Sequence, residues 1–225
     1  MAELLRDSVY RALRQAILSW EFRPGQELRE QVLAERYRVS RSPVRDSLLR
    51  LEQEKLVTVL PRQGYRVNPV GLRDIEELFG LRMVIAPACA AEAARADDAA
   101  VRTLDRFRDS SMEAIGGAID DAAFAAYNRE FHGAVASLAG NSRLAAVETA
   151  LAEEFDRLVL IVFKALRDRV IPEVLAEHSA IIDAIQAHDS DTASQGVRTH
   201  IISARRRIMA IWSMNGGQQD YRELT

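Results

Sequence analysis

Residues 39–57, VSRSPVRDSLLRLEQEKLV, constrain this chain more than any other stretch. They read as a short turn running into one amphipathic helix. Ser40 or Ser42 can cap it, because a hydroxyl accepts from the orphan N–H groups of a first helical turn. Pro43 is harmless only in that first turn, where no helical N–H bond is lost. Beyond it, Val44, Leu48 and Leu51 recur at the spacing of a buried face. Arg41 and Arg45 sit one turn apart at the helix start. A guanidinium can bond two acceptors on a guanine edge, and an N-terminal turn can meet a phosphate. Taken alone, the helix is equally compatible with a solvated surface element carrying ordinary arginines.

The neighbouring residues separate these readings. Residues 28–37, LREQVLAERY, form a short helical pattern with Val32 and Leu33 inward and Ala34 small enough for close approach. Only Arg38, Val39 and Ser40 separate it from the next helix, which predicts a helix-turn-helix whose second helix enters the DNA major groove. After that helix, residues 56–60 are β-rich, residues 61–64 turn, and residues 65–67 return. The expected product is a small hairpin, or wing, with Gly64 free to take positive φ and Arg62 and Gln63 at its tip. The run from Leu28 to Val67, LREQVLAERYRVSRSPVRDSLLRLEQEKLVTVLPRQGYRV, resembles the winged helix-turn-helix of the GntR family of bacterial transcription regulators, over roughly residues 6–70.

Charge supports a division of labour. Residues 1–70 hold 13 basic and 9 acidic side chains, and the remainder 17 and 24, which gives +4 and −7 and sums to the chain's −3. A basic head on an acidic body fits a DNA-binding module joined to something that binds no DNA. The 225 residues allow one large or two modest domains with a sizeable core. No run approaches a membrane span and the N-terminus has no signal-peptide pattern, so a cytoplasmic protein with no membrane partner is expected. The single cysteine, Cys89, is expected as a small buried side chain.

Residues 4–20 form an amphipathic helix with Leu5, Val9, Leu13, Ala16, Ile17 and Trp20 on one side and Arg6, Arg11 and Arg14 on the other. Asn68-Pro-Val-Gly71 is a linker, with Pro69 biasing Asn68 toward extended backbone. Downstream the strand signal vanishes. Helices are expected over residues 72–96 (kinked or broken near Pro87), 99–114, from Asp120 or Asp121 to 138, 142–165, from Pro172 to 188, and from a Ser190 or Asp191 cap to 214. Gly116-Gly117 is a break and residues 215–225 a disordered tail. The fold class is therefore mainly α: a winged helix-turn-helix of three helices plus a β-hairpin wing over residues 1–70, then an all-α bundle of six or seven helices over 71–225. Leu81-Arg82, Phe131-His132, Ala139-Gly140-Asn141, Glu177-His178 and Thr199-His200-Ile201, in this order and spacing, resemble the FCD effector-binding domain of the FadR subgroup over roughly residues 72–213.

Of the four histidines, His132 follows Asn128 by one helical turn, while His178 and His200 lie mid-helix beside apolar residues. Three imidazoles and one oxygen would suit zinc, nickel or another divalent transition ion, though the residues alone also allow three separate, hydrogen-bonded histidines. The resemblance implies the metal, since many FCD domains bind one through an Asp and three His at these positions. Two departures stand out: Asn128 occupies the Asp position, a weaker oxygen donor than a carboxylate, and Ala86 stands where the family often has Glu. His188 does not match and reads as a surface residue, and the run Arg205-Arg206-Arg207 as a solvated face or an intersubunit contact. Arg82 is the candidate cation for an organic-acid effector, with a surface arginine as the alternative.

These readings converge on a sequence-specific transcription regulator, a repressor controlled by a small carboxylate at a metal site. Its partners would be double-stranded DNA with a palindromic operator, the acid, and a second copy of the chain, since two-fold symmetry doubles the base contacts of one head. Ser40, Arg41, Ser42, Arg45, Gln63 and Gly64 would meet DNA, Asn128, His132, His178 and His200 the metal, and Arg82 the effector. No catalytic residues are expected. The alternative is a metalloenzyme using the His132/His178/His200 cluster, which leaves the basic head without a role and has no evident general base: Glu130, two residues from His132, points elsewhere on the helix.

Overall fold

A computed structural model describes residues 2–108 and 121–214, with side chains described at 7–108, 123–159 and 171–213. The protein is mainly α-helical and divides into two compact units, the first ending at Gly71 and the second beginning at Leu72.

The first unit is a winged helix-turn-helix. Helix α1 (Ala2–Leu18) turns Val9, Leu13, Ala16 and Ile17 into a core shared with Leu33 of α2 (Glu30–Tyr37) and Val44, Leu48 and Leu51 of α3 (Arg41–Gln53). Trp20 is not part of α1: it takes φ +63, and Phe22 N–H returns to the Ala16 carbonyl at 2.9 Å to close the helix end. Arg38 ends α2 in the same left-handed way, φ +54, which sets the turn before α3. The hydroxyl of Ser40 or Ser42 is the expected cap of α3. Ser40 occupies the N-cap with extended backbone, but its side chain makes no capping bond there. Val32, expected inward, is 58% exposed, because α2 buries only Leu33 and Ala34.

The wing is larger than a hairpin. Strands β2 (Val57–Leu60) and β3 (Gly64–Val67) pair as expected, but Glu27–Leu28 forms a further strand, β1, against β3. The antiparallel order is β1-β3-β2. Leu28 is thus a strand residue rather than the start of α2. Gly64 stands where three constraints meet: φ is +111, Leu60 is its partner across the turn, and an added Cβ would lie 2.5 Å from the Leu28 carbonyl oxygen. No side chain fits there.

The second unit is helical: α4 (Leu72–Ala93), α5 (Asp98–Arg102), a 3-10 turn (Thr103–Asp105), α6 (Asp121–Leu138), α7 (Ser142–Gln186) and α8 (Ser190–Met214). The remainder of the helix expected to reach residue 114, the Gly116-Gly117 break, Asp120 and the tail 215–225 lie outside the described residues. Neither internal proline breaks its helix. Pro87 frees the Met83 carbonyl one turn back, and Arg198 of α8 donates Nη1 to that oxygen at 3.3 Å. Pro172 is exposed within α7. The two helices expected over 142–188 are therefore one, of 45 residues. Gly140, φ +66, ends α6, and the Asn141 side chain caps α7 by accepting from Arg143 and Leu144 N–H. The α8 cap is Asp189, whose carboxylate accepts from Thr192 N–H at 2.9 Å, rather than Ser190 or Asp191.

Candidate functional site

Three helices of the second unit each carry one imidazole inside an apolar stripe. On α6 the buried register runs Phe124, Asn128, Phe131, His132, Val135. On α7 it runs Ile171, Val174, His178, Ile181, Ile185, and on α8 Val197, His200, Ile201, Ile208. Period and burial together point His132, His178 and His200 at one place, and each is under 5% exposed. One potential ligand nitrogen from each lies within 4.8 Å of the others. The His178 and His200 rings are 4.8 Å apart between centroids. Gly196, one turn before His200, helps: a Cβ there would sit 3.3 Å from Ile181 Cγ1, so its absence lets α7 and α8 approach closely. Phe131 stacks on His178 at 3.9 Å and fixes its plane.

The polar shell selects which nitrogens stay available. His200 Nδ1 lies 2.7 Å from Glu177 Oε2, so the tautomer that donates Nδ1–H leaves Nε2 as a lone-pair donor. His178 Nδ1 lies 3.3 Å from the Tyr127 hydroxyl. His132 Nε2 and His178 Nε2 are buried with no hydrogen-bond partner among the described residues. Orphaned buried nitrogens are rare, and a group that accepts their lone pairs resolves them. Burial holds all three imidazoles below their ordinary range, reinforced by the positive charge of Arg82, so they are neutral, as metal ligands must be. Three neutral imidazole nitrogens are the donor type a zinc-type ion takes, and they stand close enough together to share one. The residues present fit such an ion.

These shifts predict a pH dependence for the metal-free protein. The unfolded chain takes up protons near the ordinary histidine value of 6.5, while the buried rings resist them. Stability from these rings is present above 6.5 and is lost as pH falls below it. Thermal melts in chelator across this range should show Tm falling on acidification, less steeply in His178→Ala. A Tm that rose instead would mean the rings are charged in the fold.

Beside the cluster opens a small cleft. Arg82, Asn128, Phe155, His200 and Arg207 are among its lining residues. Arg82 is not a surface residue: its side chain is 3% exposed, packs over the Phe155 ring at 4.4 Å, and bonds Glu148 of α7 at 3.1 Å. Sequence reasoning missed Glu148, although its place one turn before Ala152 and two before Phe155 puts it on the buried register. In sequence Arg207 reads as part of a solvated face or an intersubunit contact. Arg207 is 14% exposed and holds Glu173 and Glu177 at 3.1 and 2.6 Å, while Arg205 and Arg206 are exposed. Burial alone would raise the Glu177 carboxyl, but its bonds from His200 and Arg207 outweigh that and hold it low. His188 lies apart from the cluster and ties Ala94 to Asp98, each at 2.8 Å. Glu130 is exposed, so it supplies no base at the site.

In the first unit, Ser40, Arg41, Ser42 and Arg45 are all exposed along the start of α3, and Gln63 is exposed at the wing turn beside half-buried Gly64. Both arginines lean on α2: Arg41 Nη2 donates to Gln31 Oε1 at 2.8 Å, and Arg45 Nε to Glu30 Oε1 at 3.3 Å. Arg14, expected on an outer face, is instead drawn to Glu54 at 3.1 Å.

Residues 5–67 match the family described as bacterial regulatory proteins, gntR family, and residues 77–203 match the FCD domain. An uncharacterized HTH-type transcriptional regulator of Streptomyces ambofaciens is 33% identical over 200 residues, covering 87% of this chain and 81% of its own. The HTH-type transcriptional repressor GlaR of Escherichia coli is 28% identical, covering 86% and 91%. The solved structure of E. coli McbR/YncC shares the fold, with a TM-score of 0.77 at 22% identity over 94% of this chain and 98% of that one. The relatives are regulators, which removes the metalloenzyme alternative, and no described helix is long and apolar enough to cross a membrane. The chain belongs to the GntR family of bacterial transcription regulators and carries an FCD effector-binding domain behind its winged helix-turn-helix.

Proposed function

We propose that this regulator is a repressor that releases its operator when a small carboxylate binds at a divalent transition ion, zinc or nickel, held by Asn128, His132, His178 and His200. Residues 1–70 bind DNA, and residues 71–225 bind the effector and pair two copies. The observation that carries this reading is the trio of buried, neutral imidazoles within 4.8 Å, two of them with unpartnered Nε2 atoms. Arg82, lining the adjoining cleft, supplies the cation an acid needs. The relative GlaR is named a repressor, which supports the sign of regulation. Exposed Leu81 and Val84 on α4 and Ile202 on α8 offer an apolar surface for a second copy, and a dimer would present two recognition helices to a palindrome.

Helix α4 starts directly after the linker and carries Arg82 midway, so an acid that grips Arg82 acts on the element leading to the DNA-binding unit. It changes operator occupancy only if it binds the DNA-bound and free arrangements with different affinity. The test is metal content plus an effector-dependent gel shift, on a palindromic fragment with a panel of organic acids, for wild type and His178→Ala. The variant should lose metal and effector response together while its acid-free DNA binding stays within about twofold. Wild type that takes up neither zinc nor nickel, or a variant that still answers the acid, contradicts the proposal.

A further inference from the structure

The donor set around the cluster carries no negative charge. Among the described residues, no carboxylate joins His132, His178 and His200 within the distance that groups them. Asn128, proposed above as the fourth donor, is a neutral amide, 5% exposed, on the cleft wall with His200. The nearest carboxylate in contact, Glu177, is engaged through both oxygens, Oε2 with His200 and Oε1 with Arg207. Glu148 is engaged with Arg82. A divalent ion here would keep its full charge in a buried site, which is strongly unfavourable without a counter-charge.

The cleft supplies a route for that counter-charge. It runs from solvent to Asn128 and His200, and its polar walls include two guanidinium groups, Arg82 and Arg207. Among the described residues its lining holds these two cations and no carboxylate.

We infer that a carboxylate from solution serves as the anionic ligand this chain lacks, so that metal and acid bind cooperatively because Asn128 is neutral. The inference rests on the metal site proposed above. Neither ligand binds tightly alone. The acid oxygen neutralises the ion, and the ion adds to the charge that Arg82 and Arg207, each shared with a glutamate, offer only in part. Linkage makes the effect reciprocal: the factor by which acid tightens metal is the factor by which metal tightens acid. The regulator then reports the acid only where the ion is also present.

The experiment is a zinc titration against a competing chelator in a non-coordinating buffer, with zinc alone and with acetate, lactate or citrate. In wild type at least one acid should tighten zinc about tenfold or more, within the usual range for coupled sites. Asn128→Asp, which brings a carboxylate into the set, should bind zinc about tenfold tighter without acid and keep less than about a threefold gain from it. Asn128→Ala, which removes the oxygen and adds no charge, should bind zinc more weakly yet keep the acid's effect; it covers the case in which the buried aspartate perturbs folding, monitored by near-UV circular dichroism. Zinc affinity in wild type that no acid moves overturns this inference and leaves the metal site standing. So does an Asn128→Asp protein with undiminished coupling. Absence of zinc binding in every arm overturns the metal site itself, and this inference with it.

Discussion

The Arg41→Ala/Arg45→Ala protein is expected to lose specific operator binding by on the order of a hundredfold or more, while its fold is retained. Both side chains leave α3 on its exposed side, and the helix is anchored from the opposite side by Val44, Leu48 and Leu51, each fully buried. Their removal leaves that core untouched. A guanidinium that reads a base edge contributes about 1–3 kcal/mol of discrimination, so two of them account for the expected loss. The contacts to Gln31 and Glu30 matter here. These pairs are exposed and weak, with the Arg45 side chain 65% exposed, so they orient the guanidinium groups without holding them back from DNA. Salt dependence separates the roles: losing a phosphate contact flattens the slope of log affinity against log salt by about one, whereas losing a base contact relaxes sequence preference at constant slope. The readout is a gel shift on operator and scrambled DNA at several salt concentrations. Operator binding close to wild type would remove α3 from the recognition role.

Much of this architecture was legible because its signals are local. The stripe Val44, Leu48, Leu51 and the three-residue turn before it need only a helical period and short spacing to be read. The imidazoles were legible only as polar residues inside the apolar stripes of α6, α7 and α8; nothing local fixes their convergence, which the resemblance to the FCD domain implies. A polar residue in such a register must find a partner inside. What was not legible depends on contacts between distant segments. Strand β1 has two residues and exists only because β3 offers a free edge. Pro87 stays within α4 because Arg198, more than a hundred residues later, takes the carbonyl it frees. Arg207 looks like the other two arginines of its run, and only Glu173 and Glu177 on α7 distinguish it. Arg82 could be recognised as special, but its counter-ion could not. Ala86, one turn along α4, is a small buried residue, and the partner carboxylate comes from α7 instead.

That buried pair gives the largest expected stability effect. Arg82 and Glu148 are 3% and 2% exposed, and their one direct bond leaves Arg82 Nη2 and Glu148 Oε2 without partners among the described residues. Burial pushes the Glu148 carboxyl up, and the Arg82 charge pulls it only part of the way back. The pair is thus an incompletely satisfied one, and replacing both members with apolar groups should be tolerated, whereas removing one should not. Glu148→Ala leaves the guanidinium buried over Phe155 with no counter-charge, and it should destabilise the helical unit by about 3–5 kcal/mol. Part of that reflects the lost methylenes, so Glu148→Gln, which keeps the volume, is the sharper probe and should recover only a fraction. Arg82→Met/Glu148→Leu should return to within about 1–2 kcal/mol of wild type, or exceed it. Because the protein has two compact units, the melt is followed by near-UV circular dichroism rather than read as one transition. A Glu148→Ala protein as stable as wild type would mean that Arg82 finds water or another acceptor readily, and the pair would then have no part in holding α4 to α7.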